Sequence, residues 1–444
     1  MDINRRHFLA LCSLTALSGL NLSLSGCGGK GFLAGTLMQA AAQGSAKPPP
    51  RPSRFILRND LEVRPRKDRK TRSSGQLISF AQITDAHITL EQFKLTGHPK
   101  LEAVLDGFGQ EIGFGGLDRP EIQERFDMDV LRAVVKTLNA SKVQPDLVIN
   151  TGDAIDIGTR PELIGFLSEM NQLQIPWFQT IGNHDCLGLG NIPPGFLEAF
   201  TDLNFLNKRE FIQMHFPQAG ESTRGRGFGS RAKGFDFSPG FMENRENFQA
   251  FYAFTAVPPI EGKMNELIQP GVRFYVLDTV GAEGSAAGTI GKDQIRWLSS
   301  ELDRYRSHLA IIVSHHPIEA INQGSDELLD LLLDHPQVIC LVTGHAHINR
   351  IKAFTLPDDP GRGFWQIQTS SLIDFPQEAR MLEIFDNGDG TGVIRTFVFN
   401  QQAKGQLGEN ARASFRSAME EGFDGIGKKQ DRNVDLIFQM PWGN

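Results

Sequence analysis

Short apolar runs that stop at aspartate, asparagine or histidine recur five times along this chain. The most informative run covers residues 175–181 and leads directly into Gly182, Asn183, His184 and Asp185. An amide oxygen, an imidazole and a carboxylate therefore follow one another at a predicted strand end. Each would need its own hydrogen-bond partner if it were buried, so the combination favours a functional site, although it also suits a solvated turn.

Four other predicted strands end in the same residue types. They carry Asp85 and His87 after residues 77–84, Asp153 after 146–150, His315 and His316 after 309–313, and His345 and His347 after 338–342. Apolar residues at helical spacing predict helices around 130–138, 163–170 and 295–302. Alternating strands and helices with polar strand ends are typical of a layered α/β domain, in which sites gather at the carboxyl edge of a sheet.

The N-terminal segment is predicted to be an export signal. Arg5 and Arg6 have the twin-arginine form, and an apolar stretch from 9 to 24 follows them. A membrane anchor is the rival interpretation, but Ser, Gly and Asn interrupt that stretch and it is short for a span. Residues 24–27 resemble a bacterial lipobox, so Cys27 is the predicted lipidation site, with cleavage near 40–42 as the alternative. We expect a periplasmic or membrane-anchored lipoprotein whose membrane contact is made through Cys27.

The remaining boundaries follow from composition. We predict an export signal over 1–45, a proline-rich and basic linker over 46–76, a domain over 77–400 with insertions at about 90–120 and 187–249, and a polar tail over 401–444 without an assigned role. A net charge of -7 on 444 residues does not predict binding to a nucleic acid polymer. Only Cys186 and Cys340 remain after the signal and the lipobox, too few for a disulfide framework.

The second predicted insertion is rich in glycine, phenylalanine and arginine. Arg224, Arg226 and Arg231 are candidates for contacts with a substrate phosphate, because a guanidinium offers planar, permanently charged donors. A solvated loop is the alternative interpretation.

The five strand ends, in this order, resemble the motifs of the calcineurin-like metallophosphoesterase superfamily over residues 77–399. The resemblance implies a four-layer α/β/β/α sandwich and two divalent metal ions, which the residue types do not distinguish among manganese, iron, zinc and nickel. Carboxylates, an amide oxygen and neutral imidazoles are the donors that such a pair of ions needs.

Roles carried over from the family fall on matching positions of this chain. The implied ligands are Asp85, His87 and His347 for one ion, Asn183, His315 and His345 for the other, and Asp153 as the bridge. The implied nucleophile is a bridging hydroxide, with His184 as general acid and Asp185 orienting its ring. His316 is a candidate for the substrate pocket. Asp156 stands where the purple acid phosphatase branch has a tyrosine ligand, so an iron–tyrosinate enzyme is not expected, and Asp156 is predicted to support a ligand or cap a helix.

The expected activity is therefore metal-dependent hydrolysis of a phosphoric diester or monoester. The chain looks closest to the branch that includes cyclic nucleotide phosphodiesterases, although export argues against an intracellular messenger as substrate. The alternative of another class is a non-catalytic metal-binding scaffold. Relatives of that kind have lost ligands, and this chain retains all of them.

Overall fold

The computed structural model describes most of the chain outside its N-terminal segment. The described ranges are 51–65, 75–89, 126–140, 144–188, 190–192, 204–215, 236–239, 249, 251–262, 267–281, 286–400 and 405–442. Within them, no helix combines the length and the apolar character needed to cross a membrane. The predicted export signal, Cys27, Arg224, Arg226, Arg231 and the predicted insertion at about 90–120 lie outside the described residues.

The described residues form 18 strands and six α-helices. The strands are β1 (Ile56–Arg58), β2 (Gly75–Ile83), β3 (Leu147–Asn150), β4 (Trp177–Gln179), β5 (Asp236–Pro239), β6 (Tyr252–Val257), β7 (Ile260–Glu261), β8 (Leu267–Gln269), β9 (Gly271–Val276), β10 (Gly288–Thr289), β11 (His308–Val313), β12 (Ile321–Gln323), β13 (Val338–Thr343), β14 (Arg350–Leu356), β15 (Asp359–Gln368), β16 (Glu378–Asp386), β17 (Thr391–Asn400) and β18 (Val434–Gln439). The helices are α1 (Asp127–Ala140), α2 (Arg160–Met170), α3 (Lys208–His215), α4 (Lys292–Arg304), α5 (Ser325–Asp334) and α6 (Gln406–Glu421).

Two mixed sheets of seven strands each form the body of the protein. The first has the order β1-β18-β17-β16-β2-β3-β4, and the second has the order β14-β15-β13-β11-β9-β6-β5. Strands β2, β3 and β4 run parallel to one another, as do β9, β11, β13 and β15. The carboxyl ends within each parallel set therefore lie at one edge of their sheet.

The second sheet is buried on both faces, and the alternation along β11 shows why. Leu309, Ile311 and Val313 belong to the core shared with the first sheet, whereas Ala310 and Ile312 belong to a second core that includes the inner faces of α4 and α5. Successive side chains of a strand point to opposite faces. A continuous apolar run therefore fills a layer on each side.

Aromatic rings join the two sheets. Phe80 of β2 meets Phe274 of β9 edge-on at 5.2 Å between ring centroids, and Phe254 of β6 stacks on Phe178 of β4. Trp177, the neighbour of Phe178, instead contacts Phe166 of α2 on the outer face of the first sheet. Helices therefore cover the outer faces of two packed sheets, which confirms the predicted four-layer α/β/β/α sandwich.

The first sheet extends past the domain boundaries that we predicted at residues 76 and 400. Strand β1, from the predicted linker, runs parallel to β18, and β18, from the predicted tail, pairs with β17. In β18 the buried Val434, Leu436 and Phe438 alternate with partly exposed residues. This period of two is the pattern of a half-buried strand. We predicted a polar tail without an assigned role there because the residues around β18 are mostly polar.

Part of the second predicted insertion also joins the fold. Strand β5 pairs with β6 at the edge of the second sheet. Helix α3 is tied to the same sheet by Lys208, whose ammonium lies 2.8 Å from a carboxylate oxygen of Asp278, just beyond β9. The insertion is thus anchored beside the carboxyl edge of the sheets.

Candidate metal centre

The polar strand ends of both sheets converge on one place. The first sheet supplies Asp85 and His87 after β2, Asp153 after β3, and Asn183 and His184 after β4, and the second supplies His315 after β11 and His345 and His347 after β13. Backbone hydrogen bonds join these loops: the amide of Asp85 donates to the carbonyl of Gly152, and that of His87 to the carbonyl of Asp153. The structure therefore brings together all seven residues that the sequence predicted as metal ligands.

One group of donors consists of Asp85, His87 and His347, with Asp153 beside it. The Nε2 atoms of His87 and His347 are 3.1 Å apart, and Oδ1 of Asp85 lies 3.3 Å from Nε2 of His347. Oδ2 of Asp153 lies 3.6 Å from Nε2 of His87. Ligands bonded to one ion at about 2.0–2.2 Å are expected at such separations from one another.

The second group consists of Asn183, His315 and His345. Nε2 of His315 lies 3.0 Å from Oδ1 of Asn183 and 3.2 Å from Nδ1 of His345. The same Nε2 lies 3.2 Å from Oδ2 of Asp153. Since this Asp153 oxygen also approaches His87, the carboxylate lies between the two groups, where a bridging ligand is expected.

Hydrogen bonds behind the rings fix which nitrogen faces the site. Nδ1 of His87 contacts Oδ1 of Asp156 at 2.6 Å, and Nδ1 of His347 contacts Oδ2 of Asp374 at 2.6 Å. A carboxylate accepts the Nδ1 proton, so each Nε2 presents a lone pair to the centre. Two lone pairs 3.1 Å apart repel unless a proton or a cation lies between them. This donor set fits divalent metal ions.

Asp156 therefore supports a candidate ligand, as its position in the sequence predicted. Asp374 was missed. It follows β15 in a stretch without other ligand-type residues, so no sequence pattern connects it with the site. Only the fold places it behind His347.

Charges around the centre favour cations. Burial opposes ionisation of Asp153, but the neighbouring imidazoles, led by His315, outweigh it and hold the pKa of Asp153 well below 3.8. Burial also opposes protonation of His315, yet Asp153 and then Asp85 raise the pKa of His315 to about 9. In the same way, Asp85 and Asp374 overcome burial and raise the pKa of His347 to about 10. The carboxylates of this pocket thus stabilise positive charge on His315 and His347, whereas burial and the nearby His315 lower the pKa of His345 to about 3.

Five of the seven candidate ligands have left-handed backbone conformations. Their φ angles are 49° at Asp85, 43° at His87, 49° at Asp153, 74° at His345 and 53° at His347. Such angles are uncommon outside glycine and are found where surrounding structure enforces them, often at functional sites. This concentration of strain is independent support for a functional centre.

The glycines of two motifs allow the loops to approach closely. A Cβ atom on Gly152, whose φ is +96°, would lie 2.8 Å from the backbone nitrogen of Gly182. A Cβ atom on Gly182 would lie 2.3 Å from the nitrogen of Asp153. Side chains at these positions would separate the loops that carry Asp153 and Asn183.

His184 lies at the rim of the centre. Its Nδ1 contacts the carbonyl oxygen of Asp156 at 2.6 Å, its backbone amide donates to Oδ1 of Asp153, and its side chain is 18% exposed. Because a carbonyl only accepts, Nδ1 carries a proton, and Nε2 is the atom that can gain and lose one.

The structure corrects the role expected for Asp185. Its carboxylate accepts hydrogen bonds from the backbone amides of Ala154 and Gly182, both at 2.8 Å, and it is fully buried. The carbonyl of Asp156, rather than Asp185, fixes the ring of His184. Asp185 ties together the two loops that carry Asp153 and Asn183, because its side chain points beneath the turn while that of His184 points out of it.

The structure also corrects the placement of His316 in the substrate pocket. The ring is fully buried, with Nδ1 2.8 Å from the hydroxyl of Thr279 and Nε2 3.0 Å from the carbonyl of Ala286. Burial, followed by the nearby His345 and His315, holds its pKa well below 6.5. With both nitrogens engaged, His316 is a neutral packing residue behind His345, 4.4 Å away between ring centroids.

Comparison with known proteins places this geometry in a family. Residues 78–349 match the model of the calcineurin-like phosphoesterases. A protein of Arcobacter nitrofigilis named a probable glycerophosphodiester phosphodiesterase is 24% identical over 220 residues, which cover 47% of this chain and 59% of that protein. A 3′,5′-cyclic-nucleotide phosphodiesterase of Nostoc sp. is 23% identical over 280 residues, which cover 61% of this chain and 71% of that protein.

A solved structure gives a weaker likeness. The crystal structure of a dimetal phosphatase from Danio rerio covers 74% of this chain and 100% of its own, with 16% sequence identity and a TM-score of 0.45.

Proposed function

Since the chain belongs to the calcineurin-like phosphoesterase family, we propose that it is a hydrolase that cleaves phosphodiesters at a centre of two divalent metal ions. The observation that carries this proposal is the meeting of the Nε2 atoms of His87 and His347 at 3.1 Å, with Asp85 and Asp153 beside them. Two relatives of this chain are named phosphodiesterases, which supports diesters ahead of monoesters.

The ligand assignment follows the two groups of donors. Asp85, His87 and His347 would hold one ion, Asn183, His315 and His345 the other, and Asp153 both. When bound, two divalent ions supply Lewis acidity toward the phosphoryl oxygens and the attacking water. The protein's part is to orient the ligands, through hydrogen bonds such as those from Nδ1 of His87 and His347 to Asp156 and Asp374, and to fix their spacing.

Proton transfer to the departing oxygen is assigned to His184. Its Nδ1 proton is held by the carbonyl of Asp156, so the ring is oriented and Nε2 is left to carry the transferable proton. Asp185 acts indirectly. Its carboxylate accepts hydrogen bonds from the amides of Ala154 and Gly182 and thereby stabilises the turn that carries His184.

The proposed location is outside the cytoplasm. The twin-arginine form at Arg5 and Arg6 and the lipobox-like residues 24–27 support export and lipidation at Cys27. Replacing Cys27 with serine should move the protein from the membrane fraction to the soluble periplasmic fraction. If wild-type protein is recovered in the cytoplasm, the proposed location is wrong.

A substrate panel tests the activity. The purified full chain, stripped with a chelator, is assayed with and without manganese on bis(p-nitrophenyl) phosphate, p-nitrophenyl phosphate, glycerophosphodiesters and cyclic nucleotides. We expect metal-dependent cleavage with the diesters favoured. A preference for the monoester would make the protein a phosphomonoesterase, and no cleavage of any ester by protein that binds two ions would favour the scaffold.

A further inference from the structure

A segment near the C-terminus lies directly behind the loop that carries His347. This segment, residues 422–432, is called here the C-terminal strap. The carbonyl oxygen of Gly425 accepts hydrogen bonds from the backbone amide of Asn349 at 3.0 Å and from its side-chain amide at 3.3 Å. Asn349 stands two residues after His347, so the strap fixes the end of the His347 loop.

Gly425 is wedged between two loops of the candidate centre. A Cβ atom on this buried residue would lie 2.6 Å from the carbonyl oxygen of His347 and 2.3 Å from that of Phe375. Phe375 follows Asp374, the carboxylate that contacts Nδ1 of His347. The backbone of Gly425 therefore touches both the loop of the ligand and the loop of its hydrogen-bond partner, and only glycine fits between them.

The strap is itself held by buried charges of the first sheet. The fully buried guanidinium of Arg380 donates to the carbonyl of Asp431 at 2.8 Å and to Oδ1 of Asn349 at 2.9 Å. Arg432 donates to Oε2 of Glu378 at 2.9 Å and to the carbonyl of Ile426 at 3.0 Å. Strand β16, which carries Arg380 and Glu378, thus anchors the strap on the C-terminal side of Gly425, at Asp431 and Arg432.

The two loops that Gly425 separates are both strained. The φ angle is 53° at His347 and 57° at Gln377, and neither residue is glycine. Such conformations persist only where the surroundings over-determine them. The contacts of the strap with Asn349, Phe375 and the carbonyl of His347 are surroundings of that kind.

We propose that Gly425 is a positioning residue of the metal centre: through the His347 and Asp374 loops it sets the direction of the His347 imidazole, and with it the affinity of one of the two ions. This inference rests on the ligand assignment of the proposed function. It gives the metal centre a contribution from a segment outside residues 78–349, the range that matches the family model.

The test compares Gly425→Ala with Gly75→Ala. Gly75 is an exposed glycine whose added Cβ would meet nothing within 4 Å, so its variant controls for the change of residue type. Manganese is titrated into metal-stripped protein, and binding is followed by calorimetry and by electron paramagnetic resonance. Gly425→Ala should weaken one ion about 10–100-fold, the usual effect of disturbing the groups behind a ligand. Gly75→Ala should bind as wild type.

His347→Ala and Asn183→Ala identify which ion is affected. The Gly425→Ala profile should resemble that of His347→Ala. A Gly425→Ala protein that binds both ions as wild type, or that weakens the ion lost in Asn183→Ala, would overturn the proposal.

Arg432 provides a second route if Gly425→Ala does not fold. Arg432→Gln removes the pair with Glu378, while Arg432→Lys retains a charge facing it. We expect Arg432→Gln to weaken the same ion and Arg432→Lys to recover most of the loss, and folded Arg432→Gln with unchanged binding of that ion contradicts the inference. Because the measurement is binding, a protein that binds two ions but cleaves no ester would contradict the proposed function alone.

Discussion

Replacing His184 with alanine should slow the cleavage of esters with poor leaving groups far more than that of esters with good ones. The reason is the proton on Nε2. A departing simple alcohol needs that proton, whereas a departing nitrophenolate is stable without it. His184→Ala keeps the backbone amide that donates to Asp153, so the candidate ligands remain supported.

The size of the effect follows from the contacts of the ring. General acid catalysis contributes roughly 10²–10⁴-fold, which corresponds to about 3–5 kcal/mol of barrier, and the full loss is expected for an alkyl phosphodiester. The variant also loses the hydrogen bond from Nδ1 to the carbonyl of Asp156, which costs about 1 kcal/mol of stability. The loss of rate is therefore much larger than any loss of folded protein.

The assay compares kcat for an alkyl and a nitrophenyl diester at saturating manganese, with metal content measured on the same samples. His335→Ala is a matched control, because Nδ1 of His335 also contacts a backbone carbonyl, that of Leu331, and its side chain is 14% exposed. We expect this control to retain wild-type rates. Equal losses for both esters in His184→Ala, or full activity, would refute the assignment of the acid.

Three further outcomes are expected. Elemental analysis should find that Asp153→Ala loses both ions and Asn183→Ala one, since the Asp153 carboxylate lies between the two groups of donors and Asn183 belongs to one of them; equal retention in both variants would contradict a bridging role. Asp374→Asn should weaken the ion held by His347 about 10–100-fold in a manganese titration, because the contact with Nδ1 loses its charge. Burial, against the amides of Thr159 and Ile157, raises the pKa of Glu162 from 4.5 to about 8. The folded state thus binds a proton that the unfolded state releases between these values, so wild-type protein loses free energy of unfolding as pH rises from about 5 to 8. Glu162→Gln cannot ionise, so its free energy of unfolding relative to wild type should rise over that range by several kcal/mol, at about 1.4 kcal/mol per pKa unit; a pH-independent difference in urea denaturation would contradict this.

The sequence predicted the ligands because their position depends on local features. Asp85, His87 and Asp153 each follow a buried strand closely, and parallel strands bring such residues to one edge whatever the loops do. A layered α/β domain was predictable for the same reason, since apolar runs of strand length require a layer on each face, whereas the packing of two sheets was implied by the family resemblance. The choice of His315 rather than His316 as the metal ligand depended only on the family pattern.

What the sequence did not predict depends on distant contacts. Asp374 reaches His347 through the packing of two loops, and Asp185 and His184, although adjacent, send their side chains to opposite sides of one turn. Strand β18 was not predicted because the residues around it are polar, although apolar and polar residues alternate along the strand itself. The direction in which a loop side chain points is set by its tertiary contacts. A sequence motif gives the residue types and their spacing but not those contacts.

The aromatic contacts between the sheets act as a spacer for the metal centre. Phe80 of the first sheet meets Phe274 of the second at 5.2 Å between ring centroids, and Phe254 stacks on Phe274 within the second sheet at 5.1 Å. Because each sheet supplies part of the ligand set, the thickness of this aromatic layer sets how far His315 lies from Asp153. Exchanging one of these rings for a smaller side chain changes the dimensions of the centre without changing a ligand. The preference for a larger or smaller ion can therefore be tuned from the interior of the protein, remote from the substrate.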